Sequence, residues 1–79
     1  MKLKDAISLR VKELCKEHNL TTHGLSLKCG VANSTLVDIV KARNESYQIK
    51  FIYGICEGLN MSLEEFFKSP LFARDNIVD

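Results

Sequence analysis

Apolar residues recur along this chain at three- and four-residue steps, the spacing that lines one side of an α-helix. Leu3, Ile7, Val11, Leu14 and Cys15 form the first stripe and predict a helix from about Asp5 to His18, with Asn19 as its left-handed cap. Most of the charges of this segment (Lys4, Arg10, Lys12, Lys16, Glu17) fall off the stripe and read as a solvated face. A shorter helix is expected over Thr22–Cys29, opened by Thr21 or Thr22 as N-cap and closed at Gly30. Gly24 lies inside it and costs roughly 1 kcal/mol relative to alanine. Val31 plugs the turn. A third helix, Ala32 to Ala42, has its apolar positions at Leu36, Ile39 and Val40 and opens on the small polar residues Asn33, Ser34 and Thr35.

Helix four is expected over Gln48–Gly58, burying Ile49, Ile52, Ile55, Cys56 and, just beyond, Leu59. Gly54 and Gly58 stand four apart, a spacing known for close helix approach in membranes, and read here as tolerated weakness. Asn60 ends this helix. Ser62 then caps a fifth, with Glu64 and Glu65 in the first turn to suit the helix dipole, and Phe66 and Phe67 closing the core before Pro70. The prediction is an all-α domain of five helices over residues 1–69, with a short tail over 70–79. Phe51, Tyr53, Leu71, Phe72, Ile77 and Val78 exceed the stripes: they either complete the core or form a dimer contact.

Composition changes this picture little. Seventy-nine residues, 46% of them apolar, suit one small domain that buries about 60% of its unfolded surface. No apolar run approaches a membrane span, and Met1–Asp5 is followed by no apolar block, so no signal peptide is visible and a cytoplasmic protein is expected. The net charge of +1, from 11 basic and 10 acidic residues, leaves function to the distribution of charge. Cys15, Cys29 and Cys56, an odd number, read as small apolar fillers. Cys15, His18, His23 and Cys29 can be written as a zinc site, but the pairings miss the usual finger spacing, so no metal or cofactor is expected. Catalysis is not expected either. Cys15 near His18 could be written as a thiolate–base pair, but Cys15 belongs to the apolar stripe, no oriented third group is evident, and there is no phosphate-binding glycine loop.

A helix presenting short hydrogen-bonding side chains at its N-terminal end, propped on a second helix across a tight turn, is the layout of a DNA-reading helix-turn-helix. Leu20-Thr21, Leu25-Ser26, Gly30-Val31 and Ser34-Thr35-Leu36 resemble that core in the lambda-repressor-like (Xre/Cro-type) domains. The resemblance continues through Ile55-Cys56-Glu57-Gly58-Leu59 and Met61-Ser62-Leu63-Glu64-Glu65-Phe66-Phe67, covering roughly residues 5 to 68. It implies that helix three enters the major groove of double-stranded DNA. Asn33, Ser34, Val37 and Asp38 then fall at base-contacting positions: asparagine can pair with adenine, valine can touch a thymine methyl, and aspartate can accept from cytosine.

The same resemblance implies phosphate contacts from Thr22, His23, Lys28, Thr35, Lys41, Arg43 and Asn44, with Arg43 the leading ligand and Lys50 in support. Arg10 is a further candidate, because some members reach phosphate from helix one. The chain departs from the family pattern at Thr22 (commonly glutamine), at Gly24, at Ala42-Arg43 (often Gly-Lys) and at Tyr47, where a proline is usual. The bland alternative for Asp38 is a salt bridge to Lys41 or Lys28, and for Asn33 a local helix-start hydrogen bond. The function implied is a sequence-specific regulator, a small repressor bound as a homodimer to a pseudo-palindromic operator. The alternative is an antitoxin-like or antirepressor-like interaction module of the same fold with weak DNA binding. No membrane or small-molecule partner is expected.

Overall fold

The computed structural model describes residues 1–79 as five α-helices, with no strand: α1 (Leu3–Glu17), α2 (Thr22–Cys29), α3 (Asn33–Val40), α4 (Ile49–Gly58) and α5 (Leu63–Phe67). A 3-10 turn follows at Pro70–Phe72. No helix is long and apolar enough to cross a membrane. The stripes meet in one core: Val11, Leu25, Leu36, Ile39, Ile55, Cys56 and Phe66 are fully enclosed, with Leu14 and Ile52 nearly so. Each such aliphatic or aromatic side chain contributes about 1.5–3 kcal/mol. Helix α3 packs on α1 and α2, α4 packs on α2 and α5, and the 3-10 turn packs on α1. Two expected core positions differ. Ile49 is 58% exposed because it is the first residue of α4, ahead of the turn that meets the core, and Leu3, first in α1, is exposed for the same reason.

The helices stop in a shared way. The chain turns left-handed at Asn19 (φ 54°), Gly30 (φ 71°), Ala42 (φ 51°) and Asn60 (φ 56°), once after each of the first four helices. At three of these ends the carbonyls left over by the helix are taken by paired backbone bonds. After α1, Asn19 N–H donates to Lys16 and Leu20 N–H to Cys15; after α3, Ala42 to Ile39 and Arg43 to Asp38; after α4, Asn60 to Glu57 and Met61 to Cys56. After α2 a single bond runs from Gly30 N–H to Ser26. Leu20 and Met61, which follow two of these turns, pack against the core.

Helix α5 has no left-handed residue at its end, and Arg10 supplies what is missing. Its Nε donates to the Phe66 carbonyl at 2.6 Å and its Nη2 to that of Glu65 at 2.9 Å, with the guanidinium 5.9 Å from the Phe66 ring centre and 3.5 Å from Glu13. Arg10 is therefore committed to α5 and not available to phosphate. At its other end α5 opens with a reciprocal cap: Glu65 N–H donates to Ser62 Oγ, and Ser62 N–H to Glu65 Oε1, both at 3.0 Å.

Gly54 and Gly58 prove to be a close approach. A Cβ built on Gly58 falls 2.5 Å from the Cα of Cys29 and against its Cβ, and one on Gly54 falls 2.9 Å from the Val31 Cγ2. Helix α4 therefore lies backbone-close on the end of α2 and on the plug of the turn after it. The thiols fit the role of filler: burial pushes Cys15 and Cys56 up from the ordinary thiol value, with neighbouring Cys29 adding to the shift at Cys15.

The last residues lie along the start of α1. Val78 N–H donates to the Met1 carbonyl at 2.8 Å, Leu3 N–H to Asp79 Oδ1 at 3.2 Å and the Met1 amine to the Asn76 carbonyl at 2.6 Å. Phe72 joins the core edge-on to Phe67, with ring centres 4.9 Å apart. Of the surplus apolar residues, Phe51 and Phe72 thus pack on the chain's own core, while Tyr53 and Val78 remain exposed.

Two outcomes follow for thermal and denaturant unfolding. Gly58→Ala is expected to cost about 1–3 kcal/mol, and more than Gly54→Ala, because backbone rather than a methyl group must move. Arg10→Ala is expected to cost about 1–3 kcal/mol, because the Phe66 carbonyl loses its Arg10 donor and that of Glu65 keeps only the long bond from Lys68 N–H at 3.4 Å, with Arg10→Lys recovering part of it.

Candidate nucleic-acid interface

Helix α3 is fixed by its inner side. Leu36 and Ile39 are fully buried, and the buried Ser8 hydroxyl of α1 donates to the Val40 carbonyl at the helix end. What remains turns outward. Asn33 and Ser34 are exposed, Val37 and Asp38 half-buried and Lys41 exposed, all at three- and four-residue steps on one face. Thr35 is half-buried at the edge of this face.

The start of α3 is open. Ala32 precedes it with no side-chain cap and no acidic residue lies in its first turn, as at α4, whereas α1 and α5 carry acids there. The Asn33 side chain makes no hydrogen bond in the protein, so the local helix-start bond weighed for it is not formed. The N–H groups of the first turn therefore point outward without a partner, in the orientation that attracts anions. Helix α2 starts differently. Thr21 rather than Thr22 is its cap, accepting from Gly24 N–H at 2.9 Å. Thr22 is left half-buried, with no hydrogen bond from its hydroxyl, and His23 and Lys28 are exposed on the same short helix. Val31, 8% exposed, fills the turn between α2 and α3.

Past α3 the chain is tightly organised around Asp38. Its carbonyl accepts the Arg43 N–H at 3.0 Å and the Tyr47 hydroxyl at 2.7 Å. The same hydroxyl accepts the Asn44 N–H at 3.1 Å, so one phenol ties the loop to the helix end. The Asp38 carboxylate pairs with Arg43 at 3.1 Å, not with Lys41 or Lys28. Arg43 is thus exposed but engaged by an acid of its own chain. Ala42 occupies the left-handed position, a conformation that glycine adopts without steric cost. Beyond it, Lys4 and Lys2 reach Glu45 at 2.9 and 3.8 Å and hold its carboxyl below the usual range, linking the loop to α1. That pair contributes above the ordinary glutamate pKa and is lost as pH falls through the lowered one.

Sequence reasoning places Asn33, Ser34, Val37 and Asp38 together, and the structure puts them on one face beside Lys41 and Arg43. It does not find Tyr47, whose partners are a main-chain carbonyl and a main-chain N–H that leave no mark in the sequence. Lys50, at the start of α4, has its ammonium 5.5 Å from the Phe51 ring centre. Comparison with protein-family models, with curated proteins and with solved structures gave no match.

Ala42→Gly is expected to raise stability by about 0.5–1 kcal/mol, since φ is already positive there, and chemical denaturation reads it directly. Tyr47→Phe, which keeps the ring, is expected to cost about 1 kcal/mol and to speed amide exchange at Asn44.

Proposed function

We propose that the chain is a sequence-specific regulator that binds double-stranded DNA, with α2 and α3 as a lambda-repressor-like helix-turn-helix and α3 in the major groove. The observation that carries this reading is the outer side of α3. It combines short, unengaged polar side chains with an uncapped, acid-free N-terminus. Such a surface is well matched to base edges flanked by phosphate. Asn33 is the leading base reader, because its amide is exposed and free. Ser34 and Val37 extend the contact. Thr22, His23, Lys28, Thr35, Lys41 and Asn44 are the phosphate ligands of this reading, and α3 is short enough, at eight residues, to lie within one groove passage.

Regulation would then be steric, through occupancy of an operator, and a symmetric dimer would place two α3 helices about 34 Å apart on one side of the duplex. The interaction-module reading draws on one observation, the near balance of charge, with Asp38 on the same face as the cations. A selection from randomised duplex DNA, followed by anisotropy titration at two salt concentrations, separates the two. Enrichment of one site, bound more weakly as salt rises and losing roughly 5- to 150-fold in discrimination with Asn33→Ala, is the expected result. A pool that stays random after selection rejects DNA reading and leaves the interaction module.

A further inference from the structure

The three matching helix ends are not equivalent. After α1 and α4 the residue that follows the left-handed turn is Leu20 or Met61, and each packs inward on the core. After α3 the corresponding residue is Arg43, which faces out. The motif brings residues five apart to one place, because the N–H of the later residue donates to the carbonyl of the earlier. At α1 and α4 the earlier residue is Cys15 or Cys56, while at α3 it is Asp38. A backbone device that elsewhere delivers an apolar residue to the core here delivers an acid and a base to each other on the outer face.

The pair is held from behind. Asp38 has its carbonyl engaged by both Arg43 N–H and the Tyr47 hydroxyl, so the main chain under both side chains is fixed. In front it is open. Only Arg43 Nη1 and Asp38 Oδ1 meet, at 3.1 Å; Asp38 Oδ2 and the remaining guanidinium N–H groups have no protein partner. As an exposed ion pair it contributes at most about 1 kcal/mol to stability, which does not account for so constrained a setting. Nor is it a good phosphate site, since an anion approaching Arg43 also meets the Asp38 carboxylate.

What the pair displays is a free acceptor beside a fork of free donors. The major-groove edge of a C·G pair is the complement: the cytosine N4 amino group donates, and guanine O6 and N7 accept side by side on the other base. In an A·T pair the donor lies between the two acceptors and a methyl group closes the edge, so the fork finds no two adjacent acceptors on one base. We infer that Asp38 and Arg43 act as one unit that reads a single C·G base pair, Asp38 Oδ2 accepting from cytosine N4 and Arg43 donating to guanine O6 and N7. This rests on the reading of α3 as the major-groove helix, and it moves Arg43 from phosphate ligand to base reader.

The test is a selection from randomised duplex with the unaltered chain, Asp38→Asn and Arg43→Ala, together with the salt dependence of binding to a random duplex. The unaltered chain is expected to select a site with a fixed C·G pair. Asp38→Asn is expected to change the preferred base there toward adenine, because an amide pairs with adenine N6 and N7. Arg43→Ala is expected to lower discrimination at that pair by roughly 5- to 150-fold while leaving the salt slope on random duplex unchanged. Uniform weakening with Arg43→Ala and a salt slope smaller by about one would make Arg43 a phosphate ligand and overturn the inference. Tighter binding of every duplex by Asp38→Asn, with base preference unchanged, would overturn it too, reducing Asp38 to a repulsive charge. In both cases an enriched site still supports DNA reading. Absence of any enriched site for the unaltered chain rejects DNA reading, and this inference falls with it.

Discussion

A short helix leaves as many backbone carbonyls bare at its end as a long one does, so a chain built from helices of five to fifteen residues spends much of its structure on stopping them. Here the first four stop at a left-handed residue, and the fifth stops on the guanidinium of Arg10. These endings also set direction. Each reverses the chain within a few residues, which lets α1 to α4 return to a common centre where Leu25, Leu36 and Ile55 are sealed from water. Packing the stripes supplies the free energy, and the endings decide which stripes can meet.

The outer face of α3 follows from the same constraint. Because Leu36 and Ile39 face the core and Ser8 holds Val40, the helix has no rotational freedom, and Asn33, Ser34, Val37 and Asp38 must face away. The loop after it is equally committed, with the Tyr47 hydroxyl serving Asn44 and Asp38 at once. The backbone of this face is therefore fixed from behind, so the ordering left for a ligand is that of the free side chains such as Asn33.

Much of the helical order was legible because periodicity and caps are local signals. Asn19, Gly30 and Asn60 announce left-handed turns by residue type, and Ser62 with Glu65 announces a capping box. Ala42 takes the same backbone conformation without announcing it, since alanine carries no preference for positive φ. Arg10 was misread for a related reason: its partners are main-chain carbonyls 55 and 56 residues away, and carbonyls have no sequence signature. Ile49 fits its stripe yet lies outside, because a stripe records direction and not how far along the helix the core extends. The Asp38–Arg43 pair escaped notice because its spacing of five residues matches no helical neighbour rule and arises only through the turn between them.

Gly54 and Gly58 bear on how this fold can change over generations. Where two side chains meet, a larger residue on one side can be offset by a smaller one on the other, and a core drifts through paired exchanges. At Gly58 the opposing surface includes the Cα of Cys29, which every amino acid possesses. No exchange at position 29 makes room, so the α2–α4 contact is closed to compensation. The outer face of α3 can change one side chain at a time, while any side chain larger than glycine at position 58 forces the α2 and α4 backbones apart at a cost in stability.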